Sequence, residues 1–231
     1  MKNMVSKMTF HRNNVIGLGN VGRGLLRVLA NPTGKPSSAD NVWFSVPSYS
    51  LGKEIRKISP ELKANSNIFT VCPKTTVKNI RHYLDRDDIG IGRVMPSTIS
   101  MLGMSVFPVY TDNNETFKAC IESLVGERVL RMKDESQLES MTLINGSSPA
   151  YISWLINLIV EKGVRQGLDR ESVMQCLTMN MFGVTRKLID GYTTEEIIER
   201  VRTPGGVTST GLKNLKRLEP VIDAILSGTK K

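Results

Sequence analysis

The sequence predicts two domains of different class: a Rossmann-like α/β domain over residues 1–133 and an all-α domain over residues 134–231. In the first part, short apolar runs alternate with helical stretches, which is typical of βαβ units around a parallel sheet. Beyond it only helical patterns occur. Residues 1–133 also carry 19 Lys and Arg against 10 Asp and Glu, whereas residues 134–231 carry 12 of each. This basic excess predicts an anionic partner for the first domain, either nucleic acid or a polyphosphate cofactor, with a merely basic surface as the alternative.

The first domain is predicted to contain five strands joined by helices. The strands end at or cover Val15–Ile16, Val42–Ser45, Ile68–Cys72, Ile89–Met95 and Val106–Tyr110. The helical stretches are Val21–Ala30, Leu51–Ile58, Thr76–Leu84 and Glu115–Leu124.

The second domain begins with a helix that we expect to start at Ser148-Pro149, because serine can cap a helix and proline suits its first turn. Residues 150–160 are apolar on nearly every face, which one small domain could hardly bury, so a subunit interface is predicted there. Gly167 is expected to end this helix and Asp169 to cap the next. The segment Thr193–Glu196 reads as a capping box that starts another helix.

Composition excludes several classes of protein. A chain with 40% apolar and 23% charged residues is not predicted to be disordered. The densest apolar stretch, 154–160, is too short to span a bilayer, and residues 1–14 lack the apolar segment of a secretory signal. The two histidines form no metal or catalytic pattern, so no metal is expected. A reduced, cytoplasmic protein is predicted from three widely spaced cysteines: Cys72, Cys120 and Cys176.

A G-x-G-x-x-G motif lies between the first predicted strand and the first predicted helix. Its first glycine permits a tight turn, its second lets a pyrophosphate approach the backbone, and its third permits close helix packing. An ordinary glycine-rich turn is the alternative interpretation. The motif predicts dinucleotide binding by Gly17, Leu18, Gly19, Asn20, Val21 and Gly22.

The end of the second predicted strand bears on which dinucleotide binds. An NAD-binding domain usually places Asp or Glu there for the ribose 2′-hydroxyl. This chain instead has serines at Ser45 and Ser48, followed by Lys53 and Arg56. Hydroxyls and cations favour a 2′-phosphate, so NADP is predicted over NAD; solvated turn residues are the alternative.

Several segments in order along the chain resemble motifs of the pyrroline-5-carboxylate reductases. Asn145–Tyr151 is similar to S-G-S-G-P-A-Y, and Thr203–Thr208 to [ST]-P-G-G-x-T. Arg93–Thr98 resembles R-V-M-P-N-T, and Gly163–Leu168 matches G-V-x-x-G-L. Val71–Pro73 is placed by the resemblance at the family's V-K-P.

The resemblance implies reduction of the C=N bond of 1-pyrroline-5-carboxylate by NAD(P)H, the last step of proline biosynthesis, in a homodimer or higher homo-oligomer. It assigns the Gly205 and Gly206 amides to the substrate carboxylate, Thr208 as the catalytic hydroxyl at the ring nitrogen, and Val201 to the ring pocket. A two-glycine turn is also physically suited to bind an anion. The resemblance assigns further cofactor contacts to Val71, Cys72, Pro73, Met95 and Pro96, and to Ser147, Pro149 and Ala150 at a buried helix start near the nicotinamide.

The chain also departs from the family pattern. Cys72 replaces a lysine, Ser97 an asparagine and Ser148 a glycine. Strand–helix steps are predicted to be missing before Ile68 and after Leu84. Two alternatives therefore stay open, a reductase of another cyclic imine and a catalytically weak dimeric binding or regulatory protein. Nucleic-acid binding is disfavoured because the basic residues are scattered without interleaved aromatics.

Overall fold

The computed structural model describes residues 11–99 and 105–227, and the chain divides into two compact units, Met1–Pro149 and Ala150–Lys231. Most of the N-terminal segment from which no secretory signal is expected lies outside the described residues. The domain boundary at residues 133–134 stays a prediction.

The first unit is a six-stranded sheet with helices on both faces. Its strands are β1 (Asn13–Ile16), β2 (Asn41–Phe44), β3 (Asn67–Thr70), β4 (Gly90–Val94), β5 (Val106–Tyr110) and β6 (Arg128–Arg131). Its helices are α1 (Asn20–Val28), α2 (Ser48–Ile58), α3 (Val77–Leu84), α4 (Asn114–Ser123) and α5 (Glu135–Met141). The strands follow chain order across the sheet, and all neighbours are parallel except β4 and β5.

All five strands predicted for this unit are present. The sixth, β6, was not predicted, because its sequence R-V-L-R is short and half charged, and three of its four residues are exposed. It pairs only with β5, so it needs an apolar residue on one face alone, and Val129 packs there. The antiparallel pairing of β4 with β5 also corrects the expectation of an all-parallel sheet.

The two faces of the sheet carry separate cores. Phe44 and Trp43 are neighbours on β2 and therefore point to opposite faces. Phe44 packs with apolar residues of α2 and α3, whereas Trp43 packs with those of α1 and α4. The Trp43 ring stacks on Phe69 of β3, with 4.5 Å between centroids. Both side chains are fully buried.

The order of the strands reveals which part of a dinucleotide-binding sheet is missing. A doubly wound sheet has the order 3-2-1-4-5-6 and binds its ligand where the order reverses. Here β1 is an edge strand and the order never reverses. The observed sheet corresponds to the usual one without its second and third strands.

The faces of the helices support this interpretation. The chain steps across the sheet in one direction from β1 to β4, yet α1 lies on the face opposite α2 and α3. The crossover through α1 therefore has the opposite hand to the next two. Because about 98% of such crossovers are right-handed, the connection through α1 is the irregular one. The missing strands belong between α1 and β2, which corrects the prediction of losses before Ile68 and after Leu84.

The second unit consists of helices. They are the remainder of α6 (Ser147–Arg165), α7 (Arg170–Ile189), α8 (Thr194–Val201), α9 (Val207–Leu215) and α10 (Glu219–Ser227). Gly167, at φ +88°, follows the end of α6, and the Asp169 carboxylate caps α7 by accepting the Ser172 N–H. The predicted capping box at the start of α8 is also confirmed, with Thr193 and Glu196 as its reciprocal partners.

The helix start predicted at Ser148-Pro149 is wrong. The chain is helical from Glu135 to Arg165, and a π-helical segment, Thr142–Gly146, connects α5 to α6. Proline has no N–H to donate, and its ring clashes with the carbonyl four residues earlier. For Pro149 that carbonyl belongs to Asn145, inside the π segment, so the wider turn accommodates the proline within a continuous helix.

The second unit leaves its apolar residues uncovered. Val160 is its one buried apolar residue among the residues described, while Trp154 is 62% exposed. The continuous helix 135–165 is long and apolar enough to cross a bilayer by length and composition, which the apolar stretch 154–160 alone is not. An apolar helix of this kind needs another apolar surface to cover it.

Candidate functional site

Four of the loops predicted to bind the cofactor meet at one edge of the sheet. Strands β1 to β4 are parallel, so their carboxyl ends lie together. The segments that leave these ends begin at Gly17, Ser45, Val71 and Met95. In open α/β sheets this edge binds the ligand.

The glycine loop has the geometry that phosphate binding requires. Gly17 adopts φ +93°, and a Cβ there would lie 2.3 Å from the Ser45 carbonyl oxygen. A Cβ at Gly22 would lie 1.9 Å from the Gly17 carbonyl oxygen, whereas Gly19 faces open space. Gly19 precedes the first turn of α1, whose N–H groups have no partners within the helix. The first and third glycines are thus required by packing, and the second leaves the backbone accessible to an anion.

The loop after β2 lies against this glycine loop and is tied to the loop after β3. The Cys72 thiol donates to the Val46 carbonyl oxygen at 2.9 Å, and the Ser48 hydroxyl donates to the Pro73 carbonyl oxygen at 2.9 Å. Burial raises the pKa of the Cys72 thiol above its ordinary value, and hydrogen bonding to Thr70 opposes this. Cys72 is therefore a neutral, buried tether between the loops.

The sheet order changes the meaning of these two loops. In a doubly wound sheet the first strand lies between the second and the fourth. The second and third strands are missing here, so β2, which pairs with β1, corresponds to the fourth strand of such a sheet. The segment beginning at Ser45, rather than Val71–Pro73, is then the neighbour of the glycine loop. The premise that Ser45 and Ser48 follow the second strand of such a sheet, where the 2′-position is read, is corrected.

Lys53 and Arg56, the two cations predicted to favour a 2′-phosphate, lie along α2 rather than at the end of β2. Arg56 lies eight residues after Ser48, about 12 Å along the helix. Its guanidinium stacks over the Tyr83 ring of α3, 4.9 Å from the centroid. Lys53 lies between them and is exposed.

The side chain of Asn145 holds the end of β4 in place, although it lies outside the glycine motif and was not predicted to contribute to the site. The Asn145 amide donates to the carbonyl oxygens of Met95 at 2.7 Å and Val106 at 3.1 Å. Met95 is buried and Pro96 half-buried. Asn145 lies in the π segment, so the π turn aims its amide at the end of the strand.

A buried arginine links strand β4 to helix α5. Arg93, fully buried on β4, pairs with the Glu135 carboxylate at 2.8 Å and with Glu139 on the next turn of α5. Glu135 also accepts the Val77 N–H at the start of α3. The Arg93 Nε has no partner among the described residues. In the sequence Arg93 stands out only as part of the R-V-M-P motif, although a lone arginine inside an apolar strand signals a buried ion pair.

The glycine turn of the second unit leads into α9. Gly205 adopts φ +75°, and the Gly206 N–H donates to the Thr203 carbonyl oxygen at 2.9 Å. The Gly206 amide assigned to a substrate carboxylate is therefore occupied within the turn. The following N–H groups, from Val207 to Ser209, open α9 and are the ones without helical partners.

The remaining predicted site residues vary in burial within the single chain. Thr208 is half-buried, and Val201, the last residue of α8, is 63% exposed. The helix around residue 149 was expected to begin in a buried position. Instead Ser147 and Pro149 are half-buried and Ala150 is exposed, inside the continuous helix. All roles assigned to these side chains stay predictions.

The residues present fit the pyrophosphate of a dinucleotide but not its adenosine ribose. The open Gly19 and the uncapped α1 suit a pyrophosphate. The strand that would carry a ribose-binding side chain is missing, because residues 29–40 connect α1 directly to β2 without a strand. Among residues 11–99 and 105–227 no cluster of His, Cys, Asp or Glu could hold a metal ion.

Sequence comparisons connect the chain with one group of enzymes. A family model described as pyrroline-5-carboxylate reductase dimerisation matches residues 135–231. Pyrroline-5-carboxylate reductase 2 of Bacillus subtilis is 30% identical over 188 residues, which cover 78% of this chain and 66% of that protein. The pyrroline-5-carboxylate reductase of Arabidopsis thaliana is 27% identical over 184 residues, 78% of this chain and 66% of that protein. The matched region thus spans slightly less than two thirds of these curated relatives.

Solved structures share the fold. A pyrroline carboxylate reductase of Plasmodium falciparum with NADP bound superposes with a TM-score of 0.82 at 17% identity, covering 96% of this chain and 95% of that one. A pyrroline-5-carboxylate reductase of Coxiella burnetii gives 0.83 at 18% identity, with 95% and 96% covered. The matched dimerisation region and the 30% identical relative in B. subtilis show that the chain belongs to the pyrroline-5-carboxylate reductase family.

Proposed function

We propose that the chain reduces the C=N bond of 1-pyrroline-5-carboxylate to give L-proline, with a reduced nicotinamide dinucleotide as hydride donor. The observation that carries the proposal is the glycine loop, whose three glycines have the required geometry in a member of this reductase family. The dinucleotide supplies the hydride; the protein must bind it, orient it and exclude water.

In the first unit, the glycine loop and the N-terminus of α1 would hold the phosphates. The loop from Ser45 to Ser48 adjoins it and would line the cofactor side of the site, as would Met95 and Pro96 beyond β4. Asn145 and Arg93 fasten the end of β4, so they would act as positioning residues for this edge.

In the second unit, the N-terminus of α9 would bind the substrate carboxylate. The resemblance assigns this role to the Gly206 amide, but that amide donates a hydrogen bond to the Thr203 carbonyl oxygen. The N–H groups of Val207, Thr208 and Ser209 would therefore bind the carboxylate instead. The Thr208 hydroxyl would donate to the ring nitrogen, and Val201 would line the ring pocket. A hydroxyl can accompany proton delivery to the nitrogen as the adjacent carbon receives the hydride.

The same proposal includes a homodimer formed by the second unit. Its apolar residues are exposed in the single chain, and the matching family model is named for dimerisation. A second copy would cover them, and the helix that could span a bilayer by composition would lie in that interface instead. Cytoplasmic location and the absence of nucleic-acid and membrane partners stay predictions.

The choice between NADPH and NADH is a separate point. The Plasmodium relative was solved with NADP, and NADPH was predicted here from Ser45, Ser48, Lys53 and Arg56. That preference is untested, and the strand order removes the placement on which it depended. We therefore propose a nicotinamide dinucleotide without a preference for NADPH.

NADPH and NADH consumption with 1-pyrroline-5-carboxylate, followed by detection of proline, tests the activity. Turnover with this imine and not with six-membered cyclic imines supports the proposal, whereas the reverse would assign the chain to another imine.

A second candidate is favoured by the missing strands, which reduce the cofactor domain. It is a dimer with little or no reductase activity that serves as a binding or regulatory protein. A chain that dimerises but consumes neither cofactor with any cyclic imine would support this alternative.

A further inference from the structure

The outer edge of β1 is where an adenosine-binding strand would normally lie. After α1 the chain reaches this edge once, where the Asn13 N–H donates to the Asn31 carbonyl oxygen at 3.1 Å and the Thr33 N–H donates to the Asn13 carbonyl oxygen at 2.7 Å. This is an isolated parallel bridge, and the chain then turns to β2. Asn13 precedes Gly17 by four residues, about 13 Å along a strand. The remnant of the missing strand therefore ends far from the glycine loop.

One cation does lie at the glycine loop. Arg23 follows the third glycine on the first turns of α1, and its Nε donates to the Leu18 carbonyl oxygen at 2.8 Å. This bond fixes the guanidinium beside the loop that would hold the phosphates. Arg23 is exposed, and none of the ion pairs among the described residues includes it. A guanidinium forms paired hydrogen bonds with phosphate oxygens and is always charged.

We infer that this chain holds the dinucleotide by its pyrophosphate, through the glycine loop and Arg23, and does not distinguish NADPH from NADH. The inference rests on the cofactor named in the proposed function and deepens it. The adenosine ribose would then lie beyond β1, where the described chain offers no strand end to read its 2′-position. Lys53 and Arg56 lie along α2 on the other side of β1, and Arg56 is already stacked on Tyr83.

Equilibrium titration by cofactor fluorescence, without substrate, tests the inference. The wild type is expected to bind NADPH and NADH with Kd values within about threefold of each other. Arg23→Gln should weaken both by the same factor, about tenfold or more, because a charged contact with the shared pyrophosphate is lost. Arg27→Gln is the matched control: it removes the same charge one turn later on α1, where no bond to the glycine loop exists, and should leave both Kd values unchanged.

Competition separates the two halves of the cofactor. Inorganic pyrophosphate should displace both dinucleotides, and adenosine 2′,5′-bisphosphate should compete no better than adenosine 5′-monophosphate. A tenfold preference for NADPH, or a loss confined to NADPH in the Arg23 variant, would overturn the inference. Absence of binding for both dinucleotides would overturn it together with the proposed cofactor. Equal binding without turnover of any imine would sustain it and overturn only the proposed reaction. Thermal melting of both variants confirms that they are folded.

Discussion

The first unit packs aromatic and aliphatic side chains onto both faces of its sheet, whereas the second leaves most apolar side chains of its helices exposed in the single chain. Two tryptophans mark the contrast. Trp43 is completely buried between β1, β3 and α1, while Trp154 is 62% exposed on α6. Burial of a large apolar side chain stabilises a fold by about 1.5–3 kcal/mol, so the second unit gives up much of this stabilisation as a single chain.

The contrast indicates that the two units obtain stability from different sources. The first is stabilised by contacts within one chain, whereas the second, in the proposed homodimer, would depend on contacts with another copy. Stability of the second unit should then vary with protein concentration, and that of the first should not.

The largest expected effect comes from Trp154→Asp. In the proposed homodimer each copy would bury an unpaired carboxylate, at a cost of about 3 kcal/mol or more per copy, enough to dissociate or unfold the second unit. Sedimentation and light scattering at micromolar concentration measure the outcome. Tyr49→Asp is the control, because Tyr49 is an aromatic residue 92% exposed on α2 of the first unit and should leave the dimer intact. A wild-type monomer, or an intact Trp154→Asp dimer, would contradict the interface.

The next effect concerns the first unit alone. Trp43→Ala removes a fully buried ring that stacks on Phe69 and whose Nε1 donates to the Asn13 amide oxygen at 2.9 Å. It should lower the free energy of unfolding by about 3–5 kcal/mol. Urea unfolding followed at several protein concentrations checks this, and the loss should be the same at each. If the loss of unfolding free energy became smaller as the protein concentration rose, the first unit would also be stabilised by dimerisation.

The same contrast explains what could be predicted from the sequence. Five strands and four helices of the first unit were recognisable because their apolar residues repeat with the period of a structure that packs within the chain. The strand β6 was missed because it is a short edge strand, two of whose four residues are arginines. The helix start at Ser148-Pro149 was wrong because a π turn accommodates the proline, which local sequence rules do not anticipate.

The site was harder to predict for a different reason. The glycine motif can be recognised locally, and its packing agrees with the expected roles. Strand order cannot be read from a single sequence, so Ser45 and Ser48 were assigned to the wrong strand of the doubly wound sheet. The long-range bonds of Asn145 and Arg93 depend on that order and on the helix 135–165, and therefore became visible only in the structure.

A third prediction tests whether the second unit contributes a catalytic hydroxyl as well as the proposed dimer interface. Thr208→Val keeps the shape of the side chain and removes its hydroxyl, so the dimer should persist. If the hydroxyl donates to the substrate nitrogen, kcat/KM for the imine should fall about 10- to 1000-fold, while cofactor Kd should barely change. Thr210→Val is the control, since it removes a nearby exposed hydroxyl of α9 that donates to the Gly206 carbonyl oxygen. Equal losses in the two variants would assign the effect to the helix rather than to Thr208.

The smallest expected effect lies in the shortened connection between α1 and β2. The Asp40 carboxylate accepts hydrogen bonds from the Lys63 Nζ and the Arg12 backbone N–H, each at 2.8 Å. Burial raises the pKa of Asp40, but the hydrogen bonds and charges of these partners outweigh it and lower the pKa below its ordinary value of 3.8. A carboxyl with a lowered pKa stabilises the folded state above its unfolded pKa, and this contribution is lost as the pH falls through the folded value.

Wild type should therefore melt at a higher temperature than Asp40→Asn at pH 7, and the difference should shrink below about pH 4 as Asp40 takes up its proton. Melting curves of both proteins from pH 7 to pH 3 measure the difference directly. Because only the first unit contains Asp40, the change should appear in the concentration-independent transition that Trp43→Ala also lowers. A difference that stays constant down to pH 3 would show that Asp40 holds the connection by shape and not by charge.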